Sequence, residues 1–155
     1  MTSAWSRSGS RTALIVVTVA GLAEDAYVHV HLATSYDAVR SAVLTEGDLF
    51  RLEAALAVLA AVALLALPRA STAFAAFLVA SGGVGAVLLY TYVRVGAVGP
   101  LPAMYEPFWY PDKARSLWAE AAAALAALAL VASHAYGRRG GSRSTRGDRT
   151  AEEVR

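Results

Sequence analysis

Glu24-Asp25-Ala26-Tyr27-Val28-His29-Val30-His31 places two acids and two histidines inside an otherwise apolar run from about Ala13 to Ala33. That run is long enough to cross a bilayer as a helix, because about twenty residues at about 1.5 Å each cover the hydrocarbon core. An acid at mid-bilayer costs roughly 2.5–3.5 kcal/mol on insertion scales, so adjacent acids at that depth need a protein or aqueous environment of their own. The decision between a membrane helix and a cleaved leader also falls here. Arg7, Arg11 and the small residues Gly21-Leu22-Ala23 before Glu24 match a signal-peptide pattern. Against it, the apolar pattern continues through Tyr27–Leu32, beyond the would-be cleavage point. The expectation is a spanning helix.

Three more apolar runs follow, at about Phe50–Leu67, Ala73–Val95 and Arg115–Tyr136. Across all 155 residues 57% are hydrophobic and 17% charged, and the apolar residues fall in runs instead of alternating with polar ones. The fold class expected is therefore all-α, an antiparallel four-helix transmembrane bundle. Its domain plan is a disordered cytoplasmic arm over 1–12, a membrane domain over 13–136 and a disordered basic tail over 137–155. The chain has no cysteine, which excludes disulfides, thiolate metal sites and thiol catalysis.

Basic residues give the orientation. Arg7, Arg11, Arg69, Arg138, Arg139, Arg143, Arg146, Arg149 and Arg155 fall in the N-terminal arm, the Pro68–Thr72 turn and the tail, which share one side of a four-span chain. By the positive-inside rule that side is cytoplasmic, so both termini are inside and the membrane is the cell membrane. The tail's arginines suit anionic lipid, and no nucleic-acid partner is expected.

Depth then organises the polar residues. Glu24, Asp25, His29, His31, Glu53, Arg94 and Glu120 all fall in the expected outer half, as one buried polar cluster. Asp25 and His29, four apart, share a helix face. Glu24 and His31, seven apart, share another, and His29 and His31 point roughly 160° apart. Three readings stay open. The cluster can be a set of ion pairs fixing helix register, with Arg94 on Glu120 or Glu53. It can be a proton or substrate path. It can also be a metal or haem site, with Asp25, His29, Glu53 and Glu120 as ligands, since bundle sites join imidazole and carboxylate in this way. The proline- and aromatic-rich connection Gly96–Asp112 reads as an interfacial cap, with Glu106, Trp109 and Tyr110 as a candidate lid. Gly82 and Ala86 form a small-xxx-small pattern for close helix approach.

These features together resemble a group of small four-span membrane proteins of high-GC Gram-positive bacteria. The resemblance lies in the His-bearing first span, Leu49-Phe50-Arg51-Leu52-Glu53 opening the second, Arg94 ending the third, Glu106-Pro107, and Glu120 in the fourth. The layout is also similar to the DoxX-like four-helix family. The resemblance covers 13–136 and implies a fold and a membrane without an activity. On function the sequence supports a small accessory or structural membrane protein, as a subunit of a larger complex or a homo-oligomer. The alternatives are a metal- or haem-dependent redox protein and a small proton-coupled carrier. No Gly-rich phosphate loop, nucleophile elbow or HExxH motif is present, and no reaction is assigned.

Overall fold

The computed structural model describes the backbone of residues 2–152 and the side chains of 9–135. It is all-helical: α1 Thr2–Ala33, a 3₁₀ turn Thr34–Tyr36, α2 Glu46–Ala66, α3 Ala70–Tyr92 and α4 Pro111–Glu152. Among the described residues extended pairing is confined to two isolated bridges, Arg40 with Thr45 and Val98 with Leu101. All four helices contain segments long and apolar enough to cross a membrane, and the chain is a multi-pass membrane protein.

Helix ends depart from the sequence expectation for local reasons. The second helix starts at Glu46, ahead of the expected Phe50, because Thr45 and Asp48 form a reciprocal cap: each backbone N–H donates to the other's side chain at 3.0 Å. The third ends at Tyr92, short of Val95, with Val93 extended. The fourth starts at Pro111, a residue suited to a first helical turn. In the described backbone α1 begins at Thr2 and α4 runs to Glu152; residue 1 and residues 153–155 of the expected arm and tail lie outside the described residues.

The helices form a ring in which α1 packs on α2 and α4, and α3 packs on α4 and, less extensively, on α2. Arg11 donates to the Pro68 carbonyl at 2.5 Å and lies 3.2 Å from His134, so α1, the α2–α3 turn and α4 meet at one end. At the other end the 3₁₀ turn meets the start of α4 through Tyr36 and Tyr110, whose hydroxyls stand 2.7 Å apart.

Side-chain size is distributed inside out. The core cluster is alanine throughout save Leu22, Leu64 and Leu130. Bulky residues such as Val16, Leu56, Leu59, Leu65, Leu78 and Leu125 point outward. Lipid is as apolar as leucine, so in a bilayer small interior residues gain by letting backbones approach, while large ones lose nothing by facing out. The close-approach glycines are Gly21, Gly47 and Gly83. The expected Gly82–Ala86 pattern does not serve this purpose, because Gly82 is exposed and a Cβ there would meet nothing within 4 Å.

A Cβ on Gly21 would stand 2.5 Å from the Ala119 carbonyl oxygen and 2.9 Å from the Ala123 methyl. Gly21→Ala should therefore push α1 from α4 and cost about 1–3 kcal/mol. Gly82→Ala should be neutral or slightly stabilising through helix propensity. Thermal unfolding of the two purified variants in detergent checks this, and equal melting temperatures would refute the packing account.

Candidate functional site

Asp25 lies on the inner face of α1, fully buried, and the i,i+4 spacing brings His29 over it. The His29 Nδ1 is 2.8 Å from Asp25 Oδ1 and 3.0 Å from the Asp25 carbonyl. From α4, Ser116 and Glu120 face the same point, again one turn apart. The Ser116 hydroxyl lies 3.0 Å from both Asp25 Oδ1 and Glu120 Oε1. It has one hydrogen to give, so it serves one of these oxygens at a time. Glu120 is fully buried and its carboxyl lies against Gly83 of α3: a Cβ there would stand 2.6 Å from Glu120 Cδ. Glu53 of α2 is half-buried and close enough to act electrostatically on Asp25, His29 and Glu120. All four helices thus build one point, about 14 Å below the start of α4 at a rise of about 1.5 Å per residue.

Above this point lies a cavity of about 180 Å³, with His29, Glu53, Gly83 and Ser116 deep in its wall and Glu46, Glu106, Tyr110 and Lys113 nearer the helix ends. A knot of polar contacts lines its rim. Tyr36 donates to Glu106 Oε1 at 2.9 Å, Tyr110 to Glu106 Oε2 at 3.2 Å, and the backbone N–H of Glu106 to the Tyr90 carbonyl at 2.9 Å. The Lys113 ammonium, 8% exposed, donates to the Glu106 carbonyl at 2.5 Å and stands 3.6 Å from Glu106 Oε2. Burial, with Glu106 nearby, pushes the Tyr110 phenol up to about 12, so it stays a neutral donor at any physiological pH. Outside the rim, Arg51 clasps Asp37 through both guanidinium nitrogens, at 2.8 and 2.9 Å, and holds its carboxyl below the usual range.

No family model, curated protein or solved structure matches this chain. Its chemistry is read from these residues alone.

The expected cluster is divided by the structure. Asp25, His29, Glu53 and Glu120 come together. Glu24, about 100° around α1 from Asp25, instead faces α4 at the surface, where it pairs with Arg115, itself stacked over the Tyr27 ring. His31 is exposed and stacks on Tyr27, with centroids 5.9 Å apart, because it lies nearly opposite His29 on the helix. The expected pairing of Arg94 with Glu120 or Glu53 is corrected. The third helix ends before Arg94, whose exposed guanidinium lies over the Tyr105 ring at 5.2 Å, and among the described residues no carboxylate is within ion-pair distance of it. Of the candidate lid, Glu106 and Tyr110 line the cavity, whereas Trp109 lies outside, 44% exposed and beside Tyr92.

Sequence reasoning missed Tyr36, Glu46, Lys113 and Ser116. Two of these carried a readable signal: Lys113, Ser116 and Glu120 follow the three- and four-residue spacing of one helix face, which continues through the buried Ala123, Ala127 and Leu130. Tyr36 and Glu46 carried none, since their positions depend on how the 34–45 connection folds back.

Removing the Ser116 hydroxyl withdraws the donor shared by two buried carboxyls. Ser116→Ala should cost about 1–3 kcal/mol. Ser133→Ala removes only a local bond to the Leu130 carbonyl and should stay within about 0.5 kcal/mol. Comparing the two unfolding midpoints in the same detergent tests the role of the shared donor.

Proposed function

We propose that this chain is a small cation-binding protein of the cell membrane, with both termini cytoplasmic, an up-and-down antiparallel bundle and a cavity open to the outside. In this reading it acts as an accessory subunit that holds or hands on a small cation. The observation that carries the proposal is the carboxyl-rich lining of the cavity. Asp25, Glu46, Glu53, Glu106 and Glu120 stand in or directly beneath it, against His29 and Lys113. Lys113 is already committed to the Glu106 and Phe108 carbonyls and His29 to Asp25, so Glu53 and Glu120 have no basic side chain of their own among the described residues. A low-dielectric wall bearing excess acid concentrates positive charge and excludes anions. The orientation is supported by the end at which Arg11, Pro68 and His134 meet, which is where the basic arm, turn and tail gather. A haem is disfavoured: about 180 Å³ is well below the ~300–1,000 Å³ of sites for drug-sized ligands.

The absence of native cysteine makes the cavity directly testable. Val87 lines it, so Val87→Cys should react from outside the cell with small thiosulfonate reagents. The trimethylammonium form should react at least about tenfold faster than the sulfonate form, as expected for a focused negative potential. Equal rates, or a faster anionic reagent, would sink the cation reading.

Orientation has its own measurement. Fluorescent reporters fused after Arg69 and after Gly137 should both fold and fluoresce in the cytoplasm. An external signal from either would reverse the assignment.

A further inference from the structure

The cavity floor carries a donor set more selective than excess acid alone. One imidazole nitrogen of His29 and one carboxylate oxygen each of Asp25 and Glu120 lie within 4.8 Å of one another. We infer that Asp25, His29 and Glu120, completed by Glu53, hold one divalent first-row transition-metal ion. This rests on the reading of the cavity as cation-binding and names the class of cation.

Two observations beyond the grouping point to a ligand. Asp25 and Glu120 are fully buried, yet Asp25 Oδ2 and Glu120 Oε2 have no hydrogen-bond partner, and Glu53 Oε1 is likewise buried and unpartnered. Leaving one such atom unserved costs about 1–3 kcal/mol, and an ion between Asp25 and Glu120, with Glu53 turned toward it, would serve all three. The second observation is access. His29, Glu53 and Ser116 lie both at the cluster and in the cavity wall, so an ion entering from the outer end reaches the donors without the bundle opening.

Chemistry then chooses the ion. Calcium and magnesium take oxygen donors, whereas mixed imidazole and carboxylate sets suit zinc, iron or manganese. Donors sharing a tetrahedral zinc at about 2.0–2.2 Å stand roughly 3.3–3.6 Å apart, so closing this set requires side-chain shifts of about an ångström. Gly83 is what admits the Glu120 carboxyl to this point, since the carboxyl occupies the volume that a Cβ would fill. The neutral Ser116 hydroxyl, close to both Asp25 and Glu120, is suited to orient the carboxylates around an ion.

The test uses the full chain, purified in detergent with a tag lacking histidine and stripped with a chelator. Titrated with Co²⁺, it should show one equivalent bound, with a visible spectrum that Zn²⁺ abolishes and that Mg²⁺ or Ca²⁺ at the same concentration leaves intact. His29→Gln and Glu120→Gln should weaken binding at least about tenfold, while His31→Gln and Glu24→Gln leave it unchanged. A readout on the unsubstituted chain guards against variants that fail to fold: Zn²⁺ should protect His29, and not His31, from acylation by diethyl pyrocarbonate. No stoichiometric binding, binding that survives His29→Gln, or equal displacement by Mg²⁺ or Ca²⁺ would each overturn the metal site. If Val87→Cys still prefers the cationic reagent while Co²⁺ does not bind, the metal inference fails alone. If that preference is also absent, the cation cavity fails with it.

Discussion

A bilayer cannot solvate a carboxylate, and the rest of this structure follows from where Asp25 is put. Lying midway along an apolar helix, it has to be enclosed by protein. The enclosure consists of His29 one turn above it and Ser116 and Glu120 from α4. The acid therefore fixes the rotation of α1 about its axis and the register of α1 against α4. Once that register holds, Gly21 sits under Ala119 and Ala123, where only a glycine fits without moving the backbones apart.

The alanine interior is the second half of the same solution. Small side chains let α1, α2, α3 and α4 approach closely enough that single residues from each converge on one point. A leucine interior would hold the helices further apart and leave Glu53 and Glu120 too distant to share a site with Asp25. The glycine at 83 shows the same economy of volume, since Glu120 fills the space that any other residue's Cβ would take. Large apolar residues are displaced to the lipid face, where they match their surroundings at no cost.

At the end where the α3–α4 connection lies, the structure changes chemistry. Three donors converge on Glu106, whose carboxylate takes both Tyr36 and Tyr110 while its carbonyl takes Lys113. These bonds tie the connection after α3 to α4 and to the 3₁₀ turn after α1, and Ser41 adds a bond to the Pro100 carbonyl at 2.6 Å. Glu106 is thus served from within the protein, whereas Asp25 Oδ2, Glu53 Oε1 and Glu120 Oε2 are buried without a hydrogen-bond partner.

Four spans, their approximate limits and the membrane setting were legible in the sequence because hydrophobic length and charge segregation are local properties of the chain. The facing of His29 was legible too, since the i,i+4 relation to Asp25 is set by helix geometry alone. Helix ends shifted where a cap decided them, as Thr45 and Asp48 did for α2. What only the tertiary structure decided is which polar residues meet. Glu24 and Asp25 are neighbours in sequence and differ by about 100° around α1, so one reaches Arg115 at the surface and the other the buried floor. Arg94 had the right depth for a carboxylate partner and lost it because α3 ends two residues earlier. Glu46 lines the cavity and Tyr36 reaches the rim residues Glu106 and Tyr110 through the path that the 34–45 connection takes between α1 and α2. Depth along a helix is written in one dimension; the direction a side chain takes, and what stands opposite, depend on how neighbouring helices are rotated and spaced.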